Sequence, residues 1–324
     1  PEMTLGTNPI QPRAIFVGVN GSPSSDQALD WAADEAARRG LPLQVIHGFP
    51  HRDPMTRLGV GYTIDGLNDL AQVVRSNAIS RVSGAHPDLV VTWAQPIDGP
   101  TAALVDASET ADTVVIGARG LSRARGLIMG SVSLQVSARA RCPVVVVHEQ
   151  MSAPVGAPVV VGVDGSAAST NAIAYAFEQA RSRGVGLTVV HAWWMDFIEG
   201  ATGTGNWTVD WQAFAEVEQD LVTTSIAGWQ DAYPEVTVGR HSVRGLPVQA
   251  LIRQSENACL VVVGSRGRVG FGCLLLGSVS KGVMHGAQCP VVIVHDPNAP
   301  QIHPDVADTS YPPLVSIPTG RSGR

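Results

Sequence analysis

Cysteine and lysine are both scarce in this chain, and neither is arranged for the chemistry it usually serves. The four cysteines, Cys142, Cys259, Cys273 and Cys289, have no C-x-x-C spacing and no paired histidine motif, so neither a zinc site nor a disulfide framework is indicated. Among 22 basic residues Lys281 is the only lysine, and it does not follow a glycine, so there is no G-x4-G-K-[S/T] loop. Neither half has a G-x-G-x-x-G after its first strand, which disfavours a kinase, a P-loop ATPase and a dehydrogenase. No apolar run reaches the roughly 18 residues of a membrane span, and residues 1–12 lack the basic start and apolar core of a signal peptide. A cytoplasmic protein with no membrane span is the expectation. A net charge of -6 argues against a nucleic-acid partner.

What the chain does contain, it contains twice. Gly117-x2-Gly120-x9-Gly130-Ser131 returns as Gly264-x2-Gly267-x9-Gly277-Ser278, each after an apolar run and before a helix-like segment. Val17-Gly18-Val19-Asn20-Gly21-Ser22 returns as Val161-Gly162-Val163-Asp164-Gly165-Ser166, and Val45-Ile46-His47 as Val189-Val190-His191, both offset by 144. The closing strand Cys142-Pro143-Val144 recurs as Cys289-Pro290-Val291, offset by 147, so a small insertion separates the two registers. A period of about 145 residues is the size of an ordinary domain and far exceeds a solenoid repeat.

The elements repeat in the same order. The pattern predicts strands over 14–19, 43–47, 88–93, 113–116 and 144–148, with helices over 24–39, 66–83, 100–108 and 131–139. The second half predicts strands over 159–163, 187–191, 236–243, 260–263 and 291–295, and helices over 169–183, 211–232, 247–256 and 278–285. Near-continuous Val, Ile and Leu strands separated by helices indicate parallel sheets covered on both faces. The expectation is α/β: two doubly wound five-stranded parallel-sheet domains over 13–148 and 158–295, a linker over 149–157 and a proline-rich disordered tail over 296–324.

Strand, glycine loop and helix start together make an anion cradle. Gly117 and Gly120, or Gly264 and Gly267, can take positive φ and lack Cβ, so backbone N–H groups can approach phosphate oxygens. Gly130-Ser131-Val132-Ser133 and Gly277-Ser278-Val279-Ser280 would open the next helix, where unpaired N–H groups and the dipole favour negative charge. The first serine of each can cap its helix or donate to a phosphate, and Ser133 and Ser280 are further candidates. Arg119, Arg123, Arg125, Arg266 and Arg268 could neutralise phosphates, or simply be solvated. His47, His191, His148 and His295 stand at strand ends in equivalent pairs and read as architectural, with no carboxylate cluster beside them. Cys142 and Cys289 read as small buried residues opening the last strands. Trp193, Trp194, Trp207, Trp211 and Trp229 crowd the second half, where packing is their commoner use and contact with a ligand the other.

The duplicated G-x2-G-x9-G-S loop, with V-G-V-[D/N]-G-S first strands and C-P-V closing strands, resembles the universal stress proteins in their tandem form. The resemblance spans about 13–148 and 158–295 and implies a Rossmann-like, adenine nucleotide alpha-hydrolase-like fold. It further implies an ATP-binding stress-response protein of the cytoplasm, with Mg2+ accompanying ATP, a homodimer and a regulatory protein partner. By the same resemblance Asp164 would accept hydrogen bonds from the nucleoside and Gly18 and Gly162 would give close backbone approach. Gly48 and Ala192, just after the second strands, would contact the base. Asn20 stands where the family carries Asp, exchanging a carboxylate for an amide. The first site is then weakened or empty, or Asn20 is a helix cap.

Three functions follow: an ATP-dependent sensor or regulator, a nucleotide-free interaction module that uses sheet edges for pairing, with Val144–Val147 against Val291–Val294 within the chain, and a slow ATP hydrolase. No catalytic constellation and no metal-ligating cluster is legible, and intact glycine loops favour binding.

Overall fold

The computed structural model describes residues 13–48, 64–96, 99–120, 129–149, 153–193, 211–267 and 276–296. The first half runs β1 (Ile15–Gly18), α1 (Pro23–Arg39), β2 (Leu43–Ile46), α2 (Ile64–Ala85), β3 (Val91–Ala94), α3 (Pro100–Ala107), β4 (Thr113–Gly117), α4 (Ser131–Arg139) and β5 (Val144–Val147). The second repeats it as β6 (Val159–Gly162), α5 (Ala167–Arg183), β7 (Leu187–Trp193), α6 (Trp211–Ala232), β8 (Val238–Arg244), α7 (Pro247–Ser255), β9 (Leu260–Gly264), α8 (Ser278–Gly286) and β10 (Val291–Val294). The proline-rich tail from 297 and the stretch before 13 lie outside the described residues.

All ten strands form one sheet, ordered β3-β2-β1-β4-β5-β10-β9-β6-β7-β8. Within each half every pairing is parallel. The join is antiparallel, with Val291 opposite Val146, Val292 opposite Val145 and Ile293 opposite Val144. The pairing anticipated between the valine strands thus forms within the chain. In each half the chain first winds outward through β2 and β3, then reverses to β4, so the switch point falls between β1 and β4 and between β6 and β9. Ligands of open α/β sheets bind at such reversals, beyond the carboxyl ends of the strands.

Two apolar layers cover the sheet. One face packs α1, α2, α5 and α6 through residues such as Leu29, Ala32, Ile173 and Phe177. The other packs α3, α4, α7 and α8 through Leu104, Val136, Leu251 and Met284. Both layers continue across the join, since side chains of each half belong to both clusters. Cys142 and Cys289 are buried beside the last strands, as expected, and burial pushes both thiols up to about 12, which leaves them protonated and unreactive at neutral pH. Cys273 lies outside the described residues.

Element ends differ from expectation where caps decide them. Helices α1 and α5 begin earlier than predicted because Ser22 and Ser166 are the N-caps, each accepting from the N–H three residues on at 3.2 Å. Strand β3 begins at Val91 because Pro87 and Asp88 still belong to the turn leaving α2, where Leu89 N–H donates to His86.

A polar knot crosses the join on the α1/α5 face. Glu35 of α1 is fully buried, accepting from Gln179 Nε2 at 2.9 Å and Arg183 Nη2 at 2.6 Å, both on α5, and from Arg38 of its own helix. Arg183 also lies over the Trp31 ring, 5.4 Å from its centroid. Burial lowers the Arg183 pKa while Glu35 opposes that shift. Removing one partner strands the other charge in an apolar layer. Glu35→Ala is therefore expected to cost about 3–5 kcal/mol, read as a lower urea midpoint at unchanged m-value; a loss below about 1 kcal/mol would contradict this role.

On the opposite face two histidines cross the join. His148 Nε2 donates to Met284 O at 2.8 Å, and His295 Nε2 lies 3.0 Å from Ser137 O. Burial holds both rings below the ordinary histidine value of 6.5. Unfolded histidines therefore take protons first as pH falls, so the contribution is complete above about 6.5 and is lost progressively below it. The denaturation midpoint should fall between pH 6.5 and 5, and the double variant His148→Gln/His295→Gln should show a shallower slope. Equal slopes would remove these two groups as the cause.

Candidate functional site

At the switch point of the second half, the ends of β6, β7 and β9 and the starts of α5, α7 and α8 enclose a cavity of about 200 Å³. Its apolar part is formed by Val163, Val190, Ala192, Pro247, Leu251 and Val263. Its polar part gathers Asp164, Ser169, Arg266 and the glycine loop with Ser278, Val279 and Ser280. Of the sequence-predicted residues here, Gly162, Asp164, Ala192, Gly264, Arg266, Gly267, Gly277, Ser278, Val279 and Ser280 thus line one cavity, while Arg268 lies outside the described residues. Sequence reasoning missed Val163, Ser169, Val190, Pro247, Leu251 and Val263. Ser169 was legible as the residue its cap Ser166 reaches three positions on, whereas Leu251 points to the cavity only because α7 packs on this face of the sheet.

The glycines act differently from expectation. None of Gly117, Gly120, Gly264 and Gly267 has positive φ; that conformation belongs to Gly21 and Gly165, in the turns after β1 and β6. The other half of the expectation, close approach without a Cβ, holds, but the close neighbour is the protein itself. A Cβ on Gly264 would stand 2.9 Å from the Ala168 carbonyl carbon, and one on Gly267 2.5 Å from Asp164 Oδ2. The Asp164 carboxylate is itself oriented by an Asx turn, its Oδ1 accepting from Ser166 N–H at 3.0 Å.

Each loop closes onto its helix by the same bonds. Gly277 N–H donates to Ser265 O at 2.8 Å and Ser280 Oγ to Gly264 O at 2.7 Å, matched by Gly130 to Ala118 at 2.8 Å and Ser133 to Gly117 at 2.7 Å. Ser133 and Ser280 are buried and hold the loop to its strand. The N-caps are Gly130 and Gly277, so Ser131 and Ser278 sit at the first helical position, exposed, with the helix N–H groups beside them. Capping is therefore not the role of these two serines.

The first half keeps this plan with different groups at the corresponding positions. Gly18, Asn20, Gly48, Gly117, Arg119, Gly120, Gly130, Ser131, Val132 and Ser133 occupy the corresponding strand ends, loop and helix start, and Arg123 and Arg125 lie outside the described residues. Asn20 Oδ1 accepts from Ser22 N–H at 3.0 Å, so it forms an Asx turn, and the cap is Ser22. That bond fixes the amide orientation: the group facing Gly120 is Nδ2, a donor, where the second half presents a carboxylate oxygen. Ser24 stands where the second half has Ala168, and its hydroxyl takes the Arg119 N–H at 3.2 Å. Gly48 packs so closely on α3 that a Cβ would lie 2.5 Å from Pro100 Cα, whereas Ala192 and Pro247 face the second cavity.

His47, just after β2, and His191, within β7, are structural anchors, with one addition. His47 and His191 bond through Nδ1 to Val19 O and Val163 O at 2.9 and 2.7 Å, and His191 Nε2 also meets Glu218 at 2.6 Å. Sequence reasoning did not foresee this single carboxylate, which α6 brings to His191 from 27 residues away. Trp193 packs on Phe214 and Trp229 on Phe177, while Trp194 and Trp207 lie outside the described residues.

Residues 12–148 and 157–295 each match the sequence profile of the universal stress protein family. The chain belongs to that family. A universal stress protein of Mycobacterium tuberculosis is 38% identical over 298 residues, covering 89% of this chain and 98% of the relative. A second from the same organism is 35% identical over 297 residues, covering 87% and 96%. The crystal structure of a universal stress protein from Archaeoglobus fulgidus superposes with a TM-score of 0.64 at 21% identity, covering 88% of this chain and 99% of that one, so the tandem Rossmann-like fold is shared. Among the described residues no helix is long and apolar enough to cross a membrane.

The Gly48 contact gives a test of the universal stress protein fold in its first half. Gly48→Ala forces α3 away from β2 and is expected to cost about 1–3 kcal/mol through overpacking. A melting temperature equal to that of the parent protein would show that α3 is not packed this tightly on Gly48.

Proposed function

We propose that this universal stress protein binds one ATP per chain, with Mg2+, in the second half, and acts as a nucleotide-dependent sensor or regulator. The observation that carries this reading is the second cavity itself, which joins an apolar recess, an oriented carboxylate and a glycine loop opening on a helix N-terminus. Adenine fits the apolar part beside Ala192 and Leu251. Asp164 accepts from ribose hydroxyls. The N–H groups at the start of α8, supported by Arg266, receive the phosphates. Among the described residues no group of three His, Cys, Asp or Glu could hold a metal, so Mg2+ fits as an ion carried by the phosphates, whose charge it offsets.

The first half argues against a second nucleotide by three departures: an amide donor in place of a carboxylate oxygen, a loop N–H taken by Ser24, and Gly48 packed tightly on Pro100 where the second half has Ala192 facing the cavity. The interaction-only reading keeps its within-chain pairing, β5 against β10, and has β3 and β8 left as sheet edges, but it gives the second cavity no use. A homodimer, or a regulatory protein partner, would have to use a surface other than β5 and β10. Turnover is favoured by no observation: both ring nitrogens of His191, the histidine with a carboxylate partner, are already hydrogen-bonded.

Purified protein denatured and assayed for released ATP and ADP should yield about one nucleotide per chain. Asp164→Ala should weaken Mg-ATP binding about tenfold or more, the worth of a charged acceptor, and Asn20→Asp should not add a second site. Two nucleotides per chain would overturn the asymmetry, mostly ADP would favour turnover, and no uptake of Mg-ATP would leave the family without this ligand here.

A further inference from the structure

Helices α4 and α8 begin at the two glycine loops, and each ends in the grip of the other half. In α8 the carbonyl of Met284 would ordinarily await the N–H of Gln288, but that N–H donates instead to Ser255 Oγ at 2.9 Å. His148 fills the vacancy from the first half, donating from Nε2 at 2.8 Å. The arrangement is reciprocal: Arg141 N–H goes to Ser108 Oγ at 2.9 Å, and His295 Nε2 meets the freed Ser137 carbonyl of α4.

The two bridges are not equal. His295 lies between two carbonyls, Ser137 O at 3.0 Å and Cys142 O at 3.2 Å, and a neutral ring donates to one of them at a time. His148 commits its single N–H to Met284, since its Nδ1 is buried without a hydrogen-bond partner. The residue before it, Val147, accepts from Ala118 N–H at 2.7 Å, in the first glycine loop, and at 3.3 Å from Ser24 Oγ of α1, which also takes the loop's Arg119 N–H. One run of bonds thus joins the first loop, the end of β5, His148 and the C-terminal turn of α8, whose other end opens on the second cavity. Arg119 and His285 are the charged or titratable groups that act on the His148 ring.

We propose that His148 is a positioning residue for the nucleotide site of the opposite half: it fixes α8 from behind, and so makes the first half a sensor of whether the second is filled. The proposal rests on the nucleotide reading above. Nucleotide at the N-terminus of α8 pulls on a helix whose far end is tied to β5, so filling the second cavity stiffens residues 144–148 across the join. By reciprocity, loosening that tie weakens nucleotide binding. This also gives the first half a use that does not require it to hold a ligand.

The test is Mg-ATP affinity of the full chain together with amide hydrogen exchange, with and without Mg-ATP, for the parent, His148→Phe and His148→Gln. Phenylalanine keeps the ring and loses the donor; glutamine restores an N–H at similar reach. Because only the tightening of that bond on filling is coupled to nucleotide, one such bond predicts an affinity lower by up to about three- to tenfold for His148→Phe, rescued by His148→Gln. It also predicts nucleotide-dependent protection at 278–286 that extends to 144–148 in the parent and in His148→Gln, but not in His148→Phe. A parent that binds Mg-ATP while His148→Phe matches it in affinity and protection overturns the coupling alone. A parent that takes up no Mg-ATP overturns the nucleotide reading and the coupling with it. Should His148→Phe not fold, the parent decides: protection reaching 144–148 supports the proposal, and protection confined to the second half overturns it.

Discussion

Two four-residue strands of branched side chains, Val144–Val147 and Val291–Val294, have no favourable place at the edge of a sheet. Each would expose a row of unpaired N–H and C=O groups beside apolar side chains, which is a template for aggregation. Paired antiparallel with each other they are fully buried, or nearly so, and burial of each such side chain is worth about 1.5–3 kcal/mol relative to exposure. The rest of the architecture follows from that join. It makes ten strands one sheet, lets the two apolar layers run across both halves, and brings α1 beside α5 and the end of α4 or α8 beside a histidine of the other half.

Apolar pairing has little directional preference, so register has to be set by something else. Glu35, Gln179 and Arg183 on one face and His148 and His295 on the other are satisfied only when the halves meet in one geometry. A buried ion pair is weak evidence for net stability, because desolvation offsets most of its attraction. Its value here is that a shifted register would leave a carboxylate or guanidinium stranded, which penalises the alternatives more than it rewards the native join.

Much of this was legible in the sequence, and the illegible part has a physical cause. The repeat, the order of elements and the residues of the second cavity follow from local patterns: strand hydrophobicity, glycine spacing and serine caps. The reason for the loop glycines was partly misassigned, because spacing reveals that a Cβ is excluded but not whether torsion or a neighbour excludes it. The neighbours of Gly264 and Gly267 are Ala168 and Asp164, about a hundred residues away in sequence. The Glu218 partner of His191 and the cross-join histidine bonds were hidden for the same reason: they depend on how distant helices are laid on the sheet, which local periodicity does not encode.

Duplication leaves two copies free to diverge only where they do not share a structural task. The loop-closing serines Ser133 and Ser280, the caps Ser22 and Ser166 and the Asx turns at Asn20 and Asp164 are the same in both halves, because they hold loops that the whole sheet needs. Divergence falls instead on atoms that face the cleft. An aspartate or an asparagine closes the Asx turn equally well through Oδ1, so exchanging one for the other leaves the backbone intact and changes only the second atom, from acceptor to donor. Ser24 for Ala168 and Gly48 for Ala192 follow the same logic: each alters what the cleft offers while preserving the element that carries it. The first half can therefore change what its strand ends offer and keep its fold, and with the fold the His148 bond to α8.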